Sequence, residues 1–260
     1  MSRFLERMER ITVAAPGGMG FGAARTEKTP AIALVGLVSG GYAKGLKTVS
    51  DLGLDAALLS GIDDAGGLKR IEKSLPSLPW GVKTSSLTES SAQEFRDSGC
   101  DILAFSLENT DASALVADDA ARILYVDPDI EERELRTISA LPVDVLILPM
   151  TGVSGPWRLA QIASVAAISR RVDKYILVEV SGTPSDKDLE ALRNAGVDGL
   201  VLDVAAVGAD ALEKLKSAAM ALPKQRPSGR GRSAIVPSSV FPSSSAPEPE
   251  EEDDDDDDDI

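Results

Sequence analysis

The sequence predicts an α/β protein, a closed (β/α)8 TIM barrel with a short N-terminal extension and an acidic C-terminal tail expected to be disordered. Two observations carry this. Eight short apolar runs alternate with eight stretches of helical periodicity across about residues 31–222, the composition of a parallel sheet wrapped in helices. A helix stop, an apolar residue and an aspartate precede every second run, as an internal double-unit repeat requires. An open doubly wound sheet is the other arrangement such alternation allows. The glycine fingerprint with its downstream ribose-binding acid is missing, which disfavours it.

Residues 175–203 are the clearest unit. Tyr175–Val180 is apolar apart from Glu179 and lacks polar alternation, as expected of a strand covered on both faces. Ser181 and Gly182 end it. Thr183 is positioned to cap a helix that opens at Pro184, with Asp186 in the favourable field of its N-terminus. Leu189 and Leu192 share a face, Gly196 stops the helix, and Asp198 opens the next apolar run, which ends at Asp203. The other runs are Ala31–Val38, Ala56–Leu59, Trp80–Val82, Ile102–Leu107, Ile123–Val126 and Val145–Met150. Helices are expected at about 43–52, 64–75, 89–98, 111–119, 130–140, 156–171, 185–195 and 208–221. The stretch at 111–119 is the weakest, short and rich in Asp and Ala.

The repeat reads Gly53-Leu54-Asp55, Gly99-Cys100-Asp101, Pro142-Val143-Asp144 and Gly196-Val197-Asp198, before the second, fourth, sixth and eighth runs. Gly-X-Asp is also ordinary turn chemistry, but its restriction to even-numbered runs favours the repeat.

The flanks differ from this body. Residues 1–10 read as an amphipathic helix with Phe4, Leu5 and Met8 on one side. Residues 13–24 are glycine-rich but neither follow a strand nor lead into a helix, so a phosphate loop lacks its context. A flexible lead-in or a cap over one end of the fold suits them better. Residues 1–30 thus form an extension, 31–222 the barrel and 223–260 the tail. From Pro223 onward Pro, Ser and Gly give way to the acids Glu248–Asp259; such a segment buries too little apolar surface to offset chain ordering. It serves as a solubility tail or as a docking arm for a basic partner.

Composition excludes several functions. The chain has no histidine and one cysteine, Cys100, so histidine-based triads, acid–base pairs and metal sites are absent, as is any disulfide framework. No apolar run is long enough to span a membrane and no secretion signal opens the chain, so a cytoplasmic setting is expected. Of the net charge of −15, the tail contributes −7, from four basic and eleven acidic residues. The moderately acidic body argues against nucleic-acid binding.

A barrel of this kind acts where strands end and helices begin. There the sequence offers Lys83, Glu108, Asp127, Glu179 and Asp203, with only the hydroxyls of Ser39, Ser60 and Thr151 on the remaining strands. Lys83 among carboxylates fits a tuned acid–base, an imine-forming amine or a phosphate-contacting charge. Paired with Glu108, it equally fits a structural ion pair plugging the interior. Glu179, an acid within an apolar strand, needs a partner or an opening, because burying it alone is costly. Asp127 and Asp129 suit turn and cap chemistry, and Asp203 can cap the segment after it. Ser181 and Gly182, with Gly208 before the last helix, form a second candidate, a corner for a small anion.

Glu179-Val-Ser-Gly followed by Asp188-Leu-Glu-Ala-Leu-Arg-Asn-Ala-Gly-Val-Asp-Gly-Leu-Val-Leu resembles the C-terminal quarter of ribulose-phosphate-binding barrels, of which indole-3-glycerol-phosphate synthase is the nearest in pattern. The resemblance implies a phosphorylated ligand held by Ser181, Gly182 and the Ala205–Gly208 turn, with Lys83 matching a catalytic lysine. Two departures stand against it. Asp203 replaces the small residues usual after the eighth strand, and the first strand ends Val38-Ser39-Gly40 without the synthase's acid and lysine. FMN-linked barrels use a similar corner, although nothing in this sequence calls specifically for a flavin.

Overall fold

The computed structural model describes residues 2–12, 29–62, 68, 71, 77–117, 119–153 and 156–223. The glycine-rich stretch at 13–24, most of the helix expected at 64–75, and the tail after Pro223 lie outside them. Eight parallel strands, β1 (Ala33–Ser39), β2 (Ala56–Ser60), β3 (Trp80–Lys83), β4 (Ile102–Phe105), β5 (Ala121–Tyr125), β6 (Val145–Pro149), β7 (Tyr175–Val180) and β8 (Gly199–Asp203), close into a barrel in sequence order. Closure is made by β8 against β1, with Val35 opposite Val201.

The helices are α1 (Arg3–Thr12), α2 (Tyr42–Leu52), α3 (Glu89–Asp97), α4 (Glu132–Ser139), α5 (Leu159–Ser169), α6 (Asp186–Asn194), α7 (Val204–Val207) and α8 (Ala209–Ala221). The stretch at 111–119 forms only a 3₁₀ turn, Ala112–Leu115. The run expected to reach Leu107 ends at Phe105, and Leu107 is half exposed in the turn beyond. The cap of α6 is Ser185, not Thr183. Its hydroxyl accepts from the Asp188 amide while the Asp188 carboxylate accepts from the Ser185 amide, a reciprocal arrangement that satisfies two orphan donors. The last helix begins just after Gly208, whose φ of 81° favours glycine, and the short α7 precedes it.

The repeated aspartates share one structural role. The amides of Asp55, Asp101, Asp144 and Asp198 donate to the carbonyls of Leu34, Trp80, Arg122 and Ile176, one at the start of each odd-numbered strand. Three of their carboxylates accept the amide of that same residue: Asp55 from Leu34, Asp144 from Arg122 and Asp198 from Ile176, each at 2.8–2.9 Å. Gly53, Gly99 and Gly196 precede them with positive φ, which explains the glycines of the pattern. Asp101 is the exception. Its carboxylate accepts from the Ser2 hydroxyl and the Arg3 and Phe4 amides at 2.8–2.9 Å, supplying the acceptor that the first turn of α1 lacks. Arg7 of α1 donates to Asp55 at 2.9 Å. Helix α1 therefore closes the N-terminal end of the barrel, with Phe4, Met8 and Ile11 packed among the inward side chains.

Those side chains lie in alternating layers from odd and even strands. Val35, Ile123 and Leu177 sit low, and Leu58, Ala104, Ile147 and Val201 lie above them. Interleaved apolar layers fill a barrel of this size completely. The helix-facing sides of the strands form a second core against the surrounding helices.

Candidate functional site

One layer further toward the strand C-termini the filling changes. Strand alternation and register bring Leu37, Lys83, Tyr125 and Glu179, from the four odd strands, to the same level. Lys83 closes β3 and Glu179 lies on the opposite strand, β7. The Lys83 Nζ reaches across the lumen to within 3.0 Å of Glu179 Oε2. The Glu179 side chain is 11% exposed and that of Lys83 30%, so the pair is sheltered but open toward the mouth. The ammonium also stands 4.1 Å from the centre of the Tyr125 ring. Such a cation–π contact contributes about 0.5–2 kcal/mol, more as water is excluded.

Tyr125 was not distinguished from its strand by sequence reasoning. A tyrosine inside an apolar run, two positions before Asp127, is the signal that could have found it. Its hydroxyl is buried and has no hydrogen-bond partner among the described residues. Burial, and after it the Glu179 charge, push its pKa above the ordinary 10.0. Glu179 is its potential acceptor: a side-chain hydrogen bond toward the carboxylate also raises the hydroxyl's pKa, although the geometry falls short of a full bond. An unsatisfied buried hydroxyl costs about 1–3 kcal/mol.

The other sequence candidates separate from this cluster. Glu108 is exposed in the turn after β4, and the ion pair expected between Lys83 and Glu108 is made with Glu179 instead. A short turn after β4 carries Glu108 outward, whereas residues on the strands are held in the lumen. Asp127 accepts the Asp129 amide at 2.8 Å as turn chemistry. Asp129 caps nothing, because α4 opens after Glu131.

In the proposed anion corner, the Ser181 hydroxyl donates to the Thr151 carbonyl, which draws it toward the loop after β6. Gly182 is exposed with open space around it. The Gly208 amide donates to the Val204 carbonyl at 3.2 Å. Asp203 turns onto α7, where Oδ1 accepts the Ala205 and Ala206 amides at 2.8 and 2.9 Å. A ligand phosphate, that of FMN included, meets those two amides already spent and a like charge beside them. The Ser181 hydroxyl and the Ala205, Ala206 and Gly208 amides are thus each engaged within the protein. No group of acidic or cysteine side chains among the described residues is arranged to hold a metal ion.

No family model matches the sequence, and no curated protein matches it. Solved structures do. The chain is similar to a mutant tryptophan synthase alpha-subunit from Pyrococcus furiosus, with 12% identity over 72% of this chain and 96% of that one and a TM-score of 0.58. It is also similar to 3-keto-L-gulonate-6-phosphate decarboxylase from Vibrio cholerae, with 10% identity over 74% and 96% and a TM-score of 0.58. At such identities the likeness concerns architecture alone. No described helix is long and apolar enough to cross a membrane. The closed ring of eight parallel strands and these structural likenesses give one conclusion: the chain folds as a TIM barrel.

Proposed function

We propose that this protein is a barrel enzyme of the lyase, isomerase or synthase kind, acting on a small anionic ligand at the C-terminal mouth. Lys83 meets the anionic or carbonyl oxygen of the ligand, and Glu179 accepts and returns a proton. The observation that carries this reading is the contact of Lys83 with Glu179 in an otherwise apolar lumen, at the end where barrels act. Stability alone accounts for it poorly. Exchanging a buried ion pair for well-packed apolar residues is often neutral or stabilising by about 1–4 kcal/mol. The resemblance of residues 179–202 to phosphate-binding barrels supports the reading, as do the synthase and decarboxylase names of the structural neighbours, by analogy of fold.

The test is thermal unfolding with inorganic phosphate, sugar phosphates and small oxo acids, for the wild-type chain and Lys83→Met. At least one anion is expected to raise the wild-type midpoint by about 2–4 °C and to leave Lys83→Met unmoved. A panel producing no Lys83-dependent shift counts against the reading.

One observation favours a second reading. Asp203 spends its carboxylate where a phosphate would otherwise sit, which suits a barrel without catalytic activity that serves as a binding or assembly module. Its acidic tail would then engage a basic partner. Salt-sensitive binding of polylysine, lost when Glu248–Asp259 is replaced by Ser and Gly, supports that role. Equal binding by both chains removes it.

A further inference from the structure

The mouth holds three polar side chains with unequal claims on one another. The Lys83 ammonium has Glu179 within 3.0 Å and the Tyr125 ring centre at 4.1 Å, and its side chain is 30% exposed. The Tyr125 hydroxyl is a buried donor whose approach to Glu179 falls short of full hydrogen-bond geometry. A folded chain seldom leaves such a group unmatched unless water or a ligand completes it. Beneath the three lie Leu58, Ala104, Ile147 and Val201, an apolar bed that keeps the local dielectric low and strengthens any charge interaction made there.

Resting on the mouth reading above, we infer that the Tyr125 hydroxyl and the Lys83 ammonium together donate to one oxygen of a carbonyl-bearing ligand, with Glu179 as the base for the adjoining C–H. The step balances without any added reactant. A Glu179 oxygen forms an O–H bond as the ligand's α C–H bond breaks. The C–H electron pair becomes the new C=C bond, and the carbonyl π pair moves onto oxygen. The resulting enolate oxygen lies against two donors already present at the mouth, and such donors stabilise developing negative charge. As Lys83 turns to the ligand oxygen, Glu179 is released from its ion pair to take the proton. Where the α-carbon carries a hydroxyl, that O–H passes its proton to the enolate oxygen and its C–O becomes the new carbonyl as the proton held by Glu179 returns to the former carbonyl carbon, which completes an isomerisation. The ligand class is accordingly a small ketone, aldehyde or oxo acid with a removable α-proton.

Oxalate, a planar two-oxygen mimic of an enolate, is the probe. Its binding is measured calorimetrically to the wild-type chain, Tyr125→Phe, Tyr125→Leu and Lys83→Met, alongside thermal unfolding without ligand. Tyr125→Phe keeps the ring under Lys83 and removes only the hydroxyl. It is expected to unfold at or above the wild-type temperature and to bind oxalate about tenfold more weakly. Tyr125→Leu, which also loses the ring, is expected to bind more weakly still. An unfolding temperature several degrees below wild type for Tyr125→Phe overturns the inference, since the hydroxyl then has a partner within the protein. So does unchanged oxalate affinity in Tyr125→Phe; if Lys83→Met loses binding at the same time, the anion-binding reading stands without Tyr125. Failure of the wild-type chain to bind oxalate overturns the carbonyl ligand class, and other anions that still shift unfolding through Lys83 keep the broader reading.

Discussion

At the N-terminal end of the barrel, Asp55, Asp101, Asp144 and Asp198 all find backbone amides, and two of them also hold α1 in place. At the C-terminal end, a lysine and a glutamate satisfy each other across the lumen while the hydroxyl of the tyrosine beside them lacks a hydrogen bond of full geometry. The same fold thus treats buried polarity in two ways. On the floor, each carboxylate sits where a strand or helix start exposes N–H groups that need an acceptor, so polarity there completes the backbone. At the mouth the polar groups answer no backbone demand, and their geometry is unfinished. Floors of barrels carry stability and mouths carry chemistry; here the hydrogen-bond inventory alone separates the two.

The largest expected effect lies on the floor. Asp101→Ala strips the acceptor from the Ser2 hydroxyl and the Arg3 and Phe4 amides, and loosens the helix that buries Phe4, Met8 and Ile11. A loss of about 3–5 kcal/mol is expected from urea unfolding, because several bonds to a charged acceptor go together. Asp198→Ala, which frees only the Ile176 amide among the contacts described above, is expected to cost about 1–2 kcal/mol. Equal costs for the two would erase the special standing of Asp101.

At the mouth, Lys83→Met leaves the Glu179 carboxylate sheltered without its cation. A loss of about 1–3 kcal/mol is expected, below the value for a fully buried pair because the Lys83 side chain is 30% exposed. Lys83→Met/Glu179→Leu is expected to regain wild-type stability or exceed it. A double variant less stable than the single one would make the pair a structural device like the floor carboxylates, and the contrast between the two ends would close.

The smallest effect is in pH dependence. Desolvation by burial raises the Asp55 pKa above 3.8, against the lowering by the Leu34 amide and Arg7. A carboxyl with a raised folded pKa binds its proton more tightly when folded. Its contribution is therefore full below pH 3.8 and falls as pH rises through the folded value. Tyr125, also raised by burial, follows the same sign in another window: its contribution holds below pH 10.0 and is lost above it. Urea unfolding across pH 4–7 for Asp55→Asn, and across pH 9–11 for Tyr125→Phe, should each flatten one limb of the wild-type curve. A variant that leaves its limb unchanged would show that another group sets that limb.

Much of this was legible in the residues. The eight strands, the amphipathic first helix and the double-unit repeat follow from local patterns, because covered strands, helix faces and glycine stops depend on near neighbours. Lys83 and Glu179 could be singled out for the same reason: a charge at the end of an apolar run, and an acid within one, are visible locally. Their pairing was not, since it depends on strands 3 and 7 facing each other across a closed ring. Glu108, at the end of a neighbouring run, looked the nearer partner for Lys83, and only the turn after β4, which leaves it exposed, took it out of the pair.

The sequence by itself determined that strand and helix units alternate, that no histidine chemistry is available, and that aspartates mark every second strand. Tertiary structure decided what those aspartates hold, which acid meets Lys83, and that Asp203 fills the α7 amides itself. It also brought Tyr125 under Lys83 from a strand more than forty residues away in sequence. The division has a physical reason. Backbone propensity and periodicity act over a few residues, whereas closing a barrel converts register around the whole ring into side-chain contact across its centre.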